Sequence, residues 1–592
     1  MERDGEGHSG GMRFSSEGLM GELGHRLVTE GLLQADQLAD YLSRSTLTGD
    51  SLDRLLLKDG VLTEAVLLPR LGEVAGIPFK TLAHYRVDPS ITGRLPSRAA
   101  IKYKVVPISA DSGSVTLATA RVPSREVVDS LRLLLGGQVH FVLCVDAEVS
   151  RSLKHYYGLG ADSLDEMIQT ASATAVQETD LTEEGTDPGV LRFVNQLIAE
   201  AIRMEATDVH IEPFENRMRV RYRIDGVLQV IPVPKGIERL QKAIASAIKI
   251  MSQLNIAERR KPHDGRIKVR LGDNEFDLRV SILPTRYGET IDLRILNRSS
   301  MFIDLEHLGL KSHQIPIIES LSALPHGIVL ITGPTGSGKT TTLYAALSRL
   351  NKEGVKIITA EDPIEYQMDG ISQIQTHAQI GLTFSNILRS ILRHNPDIVL
   401  VGEIRDTETA QIAVQAALTG HLVFSTLHTN DAPSAIVRLV DMGIEPYLVS
   451  SCLEGVIAQR LVRRVCSACR EKVEPDPLIL EEIARTYPER VKDAVFYQAR
   501  SCPICNFSGY HGRVALFEMM VIDDDLRGMI AHQESSGQVR LKAMKNGLIT
   551  LRQDGWSSVL DGVTTIEEVL RVAHRVEATT YLGARKGMGE NA

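Results

Sequence analysis

The sequence predicts a multidomain α/β protein whose C-terminal half is a mostly parallel sheet covered by helices on both faces. Three observations carry this. Short apolar runs of strand length, Ile328–Thr332, Ile357–Thr359, Ile398–Val401 and Leu422–Ser425, alternate with helical stretches, as parallel strands joined by crossover helices do. The first run enters Gly333-Pro334-Thr335-Gly336-Ser337-Gly338-Lys339-Thr340, and Thr341–Leu350 reads as a helix leaving it. Two further runs end in acidic residues.

The Gly333–Thr340 segment fits the phosphate-loop spacing of Gly, four residues, then Gly-Lys-Ser/Thr, with strand before and helix after. Its glycines let backbone N–H groups turn inward around phosphate oxygens at the positive end of the helix that starts at Thr341. Lys339 is expected on the β- and γ-phosphates and the Thr340 hydroxyl on Mg²⁺. A nucleoside triphosphate is therefore the expected ligand. Its Mg²⁺ shell needs an acid, and Asp397–Glu403 supplies an apolar strand ending in Glu403. The run Glu361-Asp362-Pro363-Ile364-Glu365 places three acids in five residues after another strand; Glu365, or Glu361, is the expected water-orienting carboxylate. His421 and His428 flank a fourth strand, where they could sense the γ-phosphate or link subunits.

Upstream, residues 14–157 form a first domain that opens with a helical repeat. Leu23-Gly24, Leu27-Val28, Gly31, Leu38 and Leu42 recur approximately as Leu52, Leu56-Leu57, Gly60, Leu67 and Leu71. An α/β portion follows, with strands at Lys104–Ile108 and Val115–Ala118. Residues 158–187 read as an acidic flexible linker, since eight acidic residues and no Lys or Arg lie between His155 and Arg192. Residues 188–298 form a second domain, with an amphipathic helix Val190–Met204 and strands at Asp208–Ile211, Met218–Ile224, Arg266–Leu271, Glu275–Ile282 and Thr290–Leu296. Residues 312–592 form the motor domain.

Composition excludes several classes. The 592 residues are 43% hydrophobic, as in globular proteins. A net charge of −9 and only 5% aromatic residues argue against a nucleic-acid binder. The polar Met1–Ser16 is not expected to be a signal peptide, and no apolar run is long enough to span a membrane. Six cysteines in this length make no disulfide scaffold. Four of them pair as Cys466-x-x-Cys469 and Cys502-x-x-Cys505, separated by 32 residues. Four thiolates at these spacings can enclose a tetrahedral Zn²⁺; reduced thiols or a redox pair are the other readings. Cys144 and Cys452 read as buried apolar residues.

The four blocks Gly333–Thr340, Glu361–Glu365, Asp397–Glu403 and Gly420–His428, in this order, resemble those of the secretion and type IV pilus-assembly ATPases. Upstream, Ala206–Pro213, Arg221–Gly226, Glu258–Arg266 and Leu293–Leu296 are similar to that family's second N-terminal domain. Three departures are Asn395, His263 and Thr207, where the family usually has an acid, Gln and Ser. The resemblance implies a RecA-like P-loop motor domain, a preceding α+β PAS-like domain, and a zinc-binding subdomain at about residues 462–515. It implies a homo-hexamer in which the second domain contributes arginines near the phosphates; Arg221, Arg223, Arg266, Arg279 and Arg294 are the candidates, Arg223 and Arg266 foremost. The helical repeat resembles a domain that binds cyclic di-GMP in some pilus ATPases. Here, however, Glu22 and Asp53 would repel an anion, so a protein-docking module is expected.

The function this implies is an ATPase at the cytoplasmic face of a bacterial inner membrane, powering pseudopilus assembly and export by type II secretion. Its partners would be the cytoplasmic part of a platform protein, bound through the N-terminal domain, and an inner-membrane core protein. Contact with the membrane would be peripheral, with no nucleic acid bound. The alternatives are a type IV pilus extension ATPase, a DNA-handling motor or a purely structural adaptor.

Overall fold

The computed structural model describes residues 17–82, 89–92, 94–111, 113–158, 188–234, 236–297 and 305–573. The expected acidic linker therefore lies, past residue 158, outside the described residues. The chain divides into two units: Met1–Leu271 with Phe276–Leu296 and Arg500–Gly509, and Gly272–Glu275 with Asn297–Ala499 and Tyr510–Ala592.

In the first unit, helices Glu17–Thr29, Ala35–Thr48, Leu52–Lys58 and Glu64–Ala75 build the sequence repeat. Gly31 and Gly60 recur because each turn needs a positive φ, 71° and 70°. A three-stranded sheet follows, β1 (Val105–Asp111), β2 (Ser114–Thr119) and β3 (Gln138–Leu143), in the order β1-β2-β3. Asp53, expected to repel an anion, is buried at 8% exposure.

A separate core forms under a six-stranded sheet of order β6-β5-β4-β9-β8-β7. Its strands are β4 (Ala206–Phe214), β5 (Arg217–Ile224), β6 (Val227–Ile231), β7 (His263–Leu271), β8 (Asn274–Thr285) and β9 (Gly288–Asn297). Helix Pro188–Arg203 buries Val190, Val194, Leu197, Ile198 and Ala201 in that core, as its apolar periodicity requires. Strand β5 shows the two-residue period of a half-buried strand: Met218, Val220, Tyr222 and Ile224 are buried. Arg217, Arg219, Arg221 and Arg223 consequently share the other face.

The second unit holds a seven-stranded sheet made of β10 (Gly327–Thr332), β11 (Ile357–Glu361), β12 (Ser372–Gln375), β13 (Ile398–Val401), β14 (Leu422–Leu427), β15 (Leu453–Val465) and β18 (Tyr510–Val521). Its order is β12-β11-β13-β14-β10-β15-β18, and every pairing is parallel except β15 with β18. Strands β10, β11, β13 and β14 are buried along their whole length. Both faces are covered: Leu330, Val399 and Val423 enter one apolar cluster, Val329, Leu400 and Phe424 another. The mostly parallel sheet is thus as expected. The β15–β18 hairpin was not expected; in chain order its arms enclose the four cysteines and the short pair β16 (Glu471–Lys472) and β17 (Tyr497–Gln498). Among the described residues no helix is long and apolar enough to cross a membrane.

Asp554, 1% exposed on helix Leu551–Leu560, ties this unit together. Its carboxylate accepts from Lys311 Nζ (2.6 Å), Gln314 Nε2 (3.2 Å) and the β18 amide of Phe517 (2.9 Å). Asp554→Ala strands a partly buried ammonium and an amide donor at once. Urea unfolding is expected to show a loss of about 3 kcal/mol or more.

Candidate nucleotide-binding site

Parallel pairing decides what meets at the end of β10. Thr332, its last residue, pairs with Leu427 of β14 on one side and Ala458 of β15 on the other. The residues that follow in all three segments therefore emerge at the same edge, outside the carboxyl ends of the strands, where open α/β sheets bind ligands. Thr332 Oγ1 lies 2.7 Å from Thr429 Oγ1 and accepts from the Thr429 amide at 2.9 Å, which locks the loop after β14 to the loop after β10.

Between β10 and helix Lys339–Leu350 the chain turns through Gly333, Gly336 and Gly338, all at positive φ. A Cβ at Gly333 would lie 2.5 Å from the Gln459 carbonyl, and one at Gly338 would lie 2.8 Å from Gln459 Nε2. Only glycine fits this close approach. Pro334, Thr335, Gly336 and Thr340 are exposed, Thr341 is half-buried, and Ser337 is buried with an Oγ that has no hydrogen-bond partner. Lys339 folds back, donating to the carbonyls of Gly333 (2.9 Å) and Pro334 (3.0 Å). A glycine cradle, an orphaned buried hydroxyl and an ammonium resting on its own loop fit a phosphate chain. Burial pulls the Lys339 ammonium down to about 8; the Glu403 carboxylate opposes this and the Arg460 charge adds to it.

Glu403 stands two residues beyond β13. Its side chain is 12% exposed and is held by Arg405 Nη2 (2.5 Å) and His428 Nε2 (3.2 Å). The sequence-predicted Glu403 and His428 are thus brought together. His421 is not: it precedes β14, at the far end from His428, about 23 Å back along the strand at ~3.3 Å per residue. There its Nδ1 sits 2.9 Å from the carbonyl of Ala416.

The acidic run after β11 also separates. Glu361 is 4% exposed and both of its carboxylate oxygens are taken. Tyr344 Oη donates to one; Thr359 Oγ1 (2.6 Å) and Gln373 Nε2 (3.0 Å) donate to the other. It struts the sheet against helix Lys339–Leu350. Glu365 is exposed.

The candidate arginines belong to the first unit. Arg221 grips Glu212 at 2.8 and 2.6 Å, and Arg219 shares that carboxylate. Arg223 (3.4 Å) and Arg294 (2.9 Å) share Asp208. Arg266 is exposed and Arg279 half-buried.

The Sγ atoms of Cys466, Cys469, Cys502 and Cys505 all lie within 4.8 Å of one another. The Gly509 amide donates to Cys505 Sγ at 3.2 Å, a contact that favours thiolate. Four sulfurs gathered this closely fit a metal ion. Cys144 and Cys452 are buried, and burial pushes both thiols up to about 12, consistent with inert apolar residues.

The family model "Type II/IV secretion system protein" matches residues 183–571, and the "MshEN domain" model matches residues 75–163. The chain belongs to the type II/IV secretion system protein family. It is 40% identical over 563 residues to the type IV pilus assembly ATPase PilB of Myxococcus xanthus, covering 93% of this chain and 99% of that one. It is 41% identical over 561 residues to the type II secretion system protein E of Xanthomonas campestris pv. campestris, covering 92% and 98%. To the type II secretion system protein E of Pseudomonas aeruginosa it is 49% identical over 403 residues, covering 68% and 79%.

As a member of this family the chain is a P-loop ATP hydrolase. Sequence reasoning passed over several residues at its phosphate loop: Arg405, Thr429, Asn430, Gln459 and Arg460. The last two left a legible signal, a Gln-Arg pair inside the apolar run Leu453–Val462.

The depressed Lys339 ammonium sets a pH dependence. Bound phosphate raises its pKa again, so above about pH 8 binding must take up a proton that the free chain has lost. Below pH 8 affinity should be flat; above it, affinity should fall by up to about tenfold per unit. Titration calorimetry with ADP in two buffers of different ionisation enthalpy measures the proton uptake. Lys339→Arg, which cannot titrate, should remove it.

Proposed function

We propose that this chain is the motor of a type II secretion system, a homo-hexamer that hydrolyses ATP at the cytoplasmic face of a bacterial inner membrane to drive pseudopilus assembly and protein export. The observation that carries the chemistry is the convergence of the glycine cradle, Lys339, Glu403 and His428 at one edge of the parallel sheet. The loop Gly333–Thr341 wraps the phosphates. Lys339 compensates charge on the β- and γ-oxygens. Thr340 and Glu403 hold Mg²⁺, which when bound neutralises charge developing on the phosphate oxygens. His428, hydrogen-bonded to Glu403, reads the γ-phosphate. Glu365 orients the attacking water; Glu361 positions the strand from which Glu365 follows.

Arg223 and Arg266, from the domain at residues 188–298, stabilise charge on the transferring phosphoryl oxygens across the ring. The site is then incomplete in a single chain, and closing and opening the two domains around ATP and its products moves a membrane partner. The N-terminal domain, residues 14–157, docks on the cytoplasmic part of a platform protein, with the acidic stretch 158–187 as its tether. A second reading, a type IV pilus extension ATPase, is favoured by the similarity to the Myxococcus pilus ATPase over 93% of this chain. The chemistry is the same and the cargo differs.

The deciding experiment replaces the gene with a Lys339→Ala copy in the source cell and assays secreted enzymes and surface pili together. Loss of secretion with pili intact supports the first reading; loss of pili alone moves the chain to the second. The purified variant should lose at least about a hundredfold in kcat.

Cys466, Cys469, Cys502 and Cys505 bind a structural Zn²⁺ with four thiolates and no open position. Elemental analysis should find about one zinc per chain. Cys502→Ser should lower both the zinc content and the thermal midpoint, and a chelator should lower the midpoint of the parent chain.

A further inference from the structure

Arg460 is a buried cation with no anion of its own. It is 8% exposed, and its Nη2 reaches only Asn430, at 2.9 Å to the side-chain oxygen and 3.3 Å to the carbonyl. Among the described residues no carboxylate lies within ion-pair distance of it. The two acids whose charge it feels are already committed. Asp431 pairs with Arg540 at 2.5 Å and accepts from the Ser434 amide. Glu518 accepts from the amides of Ala432 and Leu551, and burial pushes its carboxyl up, towards the neutral form. Burial likewise pulls the Arg460 guanidinium down, although an arginine stays charged. Removing an unpaired charge from water is costly, and buried charges are ordinarily paired.

The position of this charge names the missing anion. Ala458 pairs with Thr332 at the last step of β10, so Arg460 lies two residues past the point where β10 becomes the phosphate loop. Its neighbour Gln459 touches that loop at the place of a Gly338 side chain and accepts a 2.9 Å bond from Thr342 Oγ1 of the helix that follows. Arg460 itself holds Asn430, next to Thr429, which is bonded to Thr332. Its charge is felt at the Lys339 ammonium. Two cations thus share this edge of the sheet: Lys339 feels the charge of Glu403, and Arg460 only those of the committed Asp431 and Glu518.

We infer that Arg460 is a phosphate-binding residue of this same chain, a second cation that pairs with the terminal phosphates of a bound nucleoside triphosphate. This rests on the reading of Gly333–Thr340 as the phosphate loop. It makes the nucleotide the counter-ion that satisfies a buried charge left unpaired without it, and it needs no residue from another subunit. A guanidinium matches two phosphate oxygens at once, which gives the contact its strength.

The test compares the full-length parent with Arg460→Gln, Arg460→Lys and Lys339→Ala, using ATPγS and ADP with Mg²⁺. Arg460→Gln keeps a donor to Asn430 and removes the charge. It should weaken ATPγS binding at least about tenfold and ADP binding less, and Arg460→Lys should restore part of the loss. The nucleotide-free thermal midpoint of Arg460→Gln should hold or rise, because an unpaired buried charge has gone, and its upward shift on adding ATPγS should shrink. Parent-like ATPγS affinity in Arg460→Gln, with binding lost in Lys339→Ala, would overturn the assignment and leave Arg460 as a staple of the Asn430 loop. Binding retained in Lys339→Ala would instead remove the phosphate-loop reading, and this inference with it.

Discussion

The register of β10 between β14 and β15 is the constraint on which the motor unit depends. One step of pairing, Thr332 with Leu427 and with Ala458, delivers the glycine cradle, the Thr429–Asn430 segment and the Gln459–Arg460 pair to a common edge. A slip of one residue in β15 would exchange the faces that Gln459 and Arg460 occupy and move Val456 and Ala458 out of their apolar cluster. The apolar cores on both faces therefore enforce the alignment of the polar site. That arrangement lets a site tolerate unfavourable electrostatics: the cores fix the geometry, and the site need not be stabilised by its own contacts.

Those electrostatics are uneven by construction. Lys339 rests on carbonyls, Arg460 on a neutral amide, and Ser337 Oγ on nothing. Elsewhere in the same unit two buried acids are fully engaged; Asp554 has three donors and Glu361 three. The contrast separates struts from ligand contacts more sharply than residue type does. Glu361 is a buried acid at the end of its strand and Glu403 a half-buried one just past the end of its own; the first is closed off by internal donors, whereas the second is shared with an exposed arginine and a histidine.

Much of this was legible in the sequence, and the unread parts have physical reasons. The strands around the loop, the loop itself and the four cysteines are local patterns, and local spacing carried them. The hairpin of β15 and β18 is not local. Its arms are 44 residues apart, the closing segment is the cysteine arm, and strand and helix patterns compete over such an interval. Three acids in five residues could not be ranked by spacing, because a strand's inward parity and the partners Tyr344 and Gln373 decide that Glu361 is closed off. Two histidines flanking one strand looked equivalent; only the direction of a parallel strand shows that His428 faces the loop end and His421 the opposite end. Asn395 read as a missing negative charge, yet it sits at φ 51°, a left-handed conformation that asparagine tolerates better than most side chains.

The arginines divide in the same way, and the division bears on how such a motor can be switched. Arg219 and Arg221 share Glu212, and Arg223 and Arg294 share Asp208. Each carboxylate has two guanidinium partners, so the loss of one still leaves the other to compensate the acid. Arg223, opposite Asp208 on the β4–β5 ladder at 3.4 Å, is the more weakly held of its pair. Recruiting such an arginine exchanges one anion for another at small net cost, which suits a contact made and broken in each cycle. Arg460 has no carboxylate to exchange. Its gain on binding phosphate is the whole cost of a buried unpaired charge, which suits a fixed part of the cradle. In the proposed mechanism the paired Arg223 and the unpaired Arg460 are different devices, distinguished by what each gives up to bind phosphate.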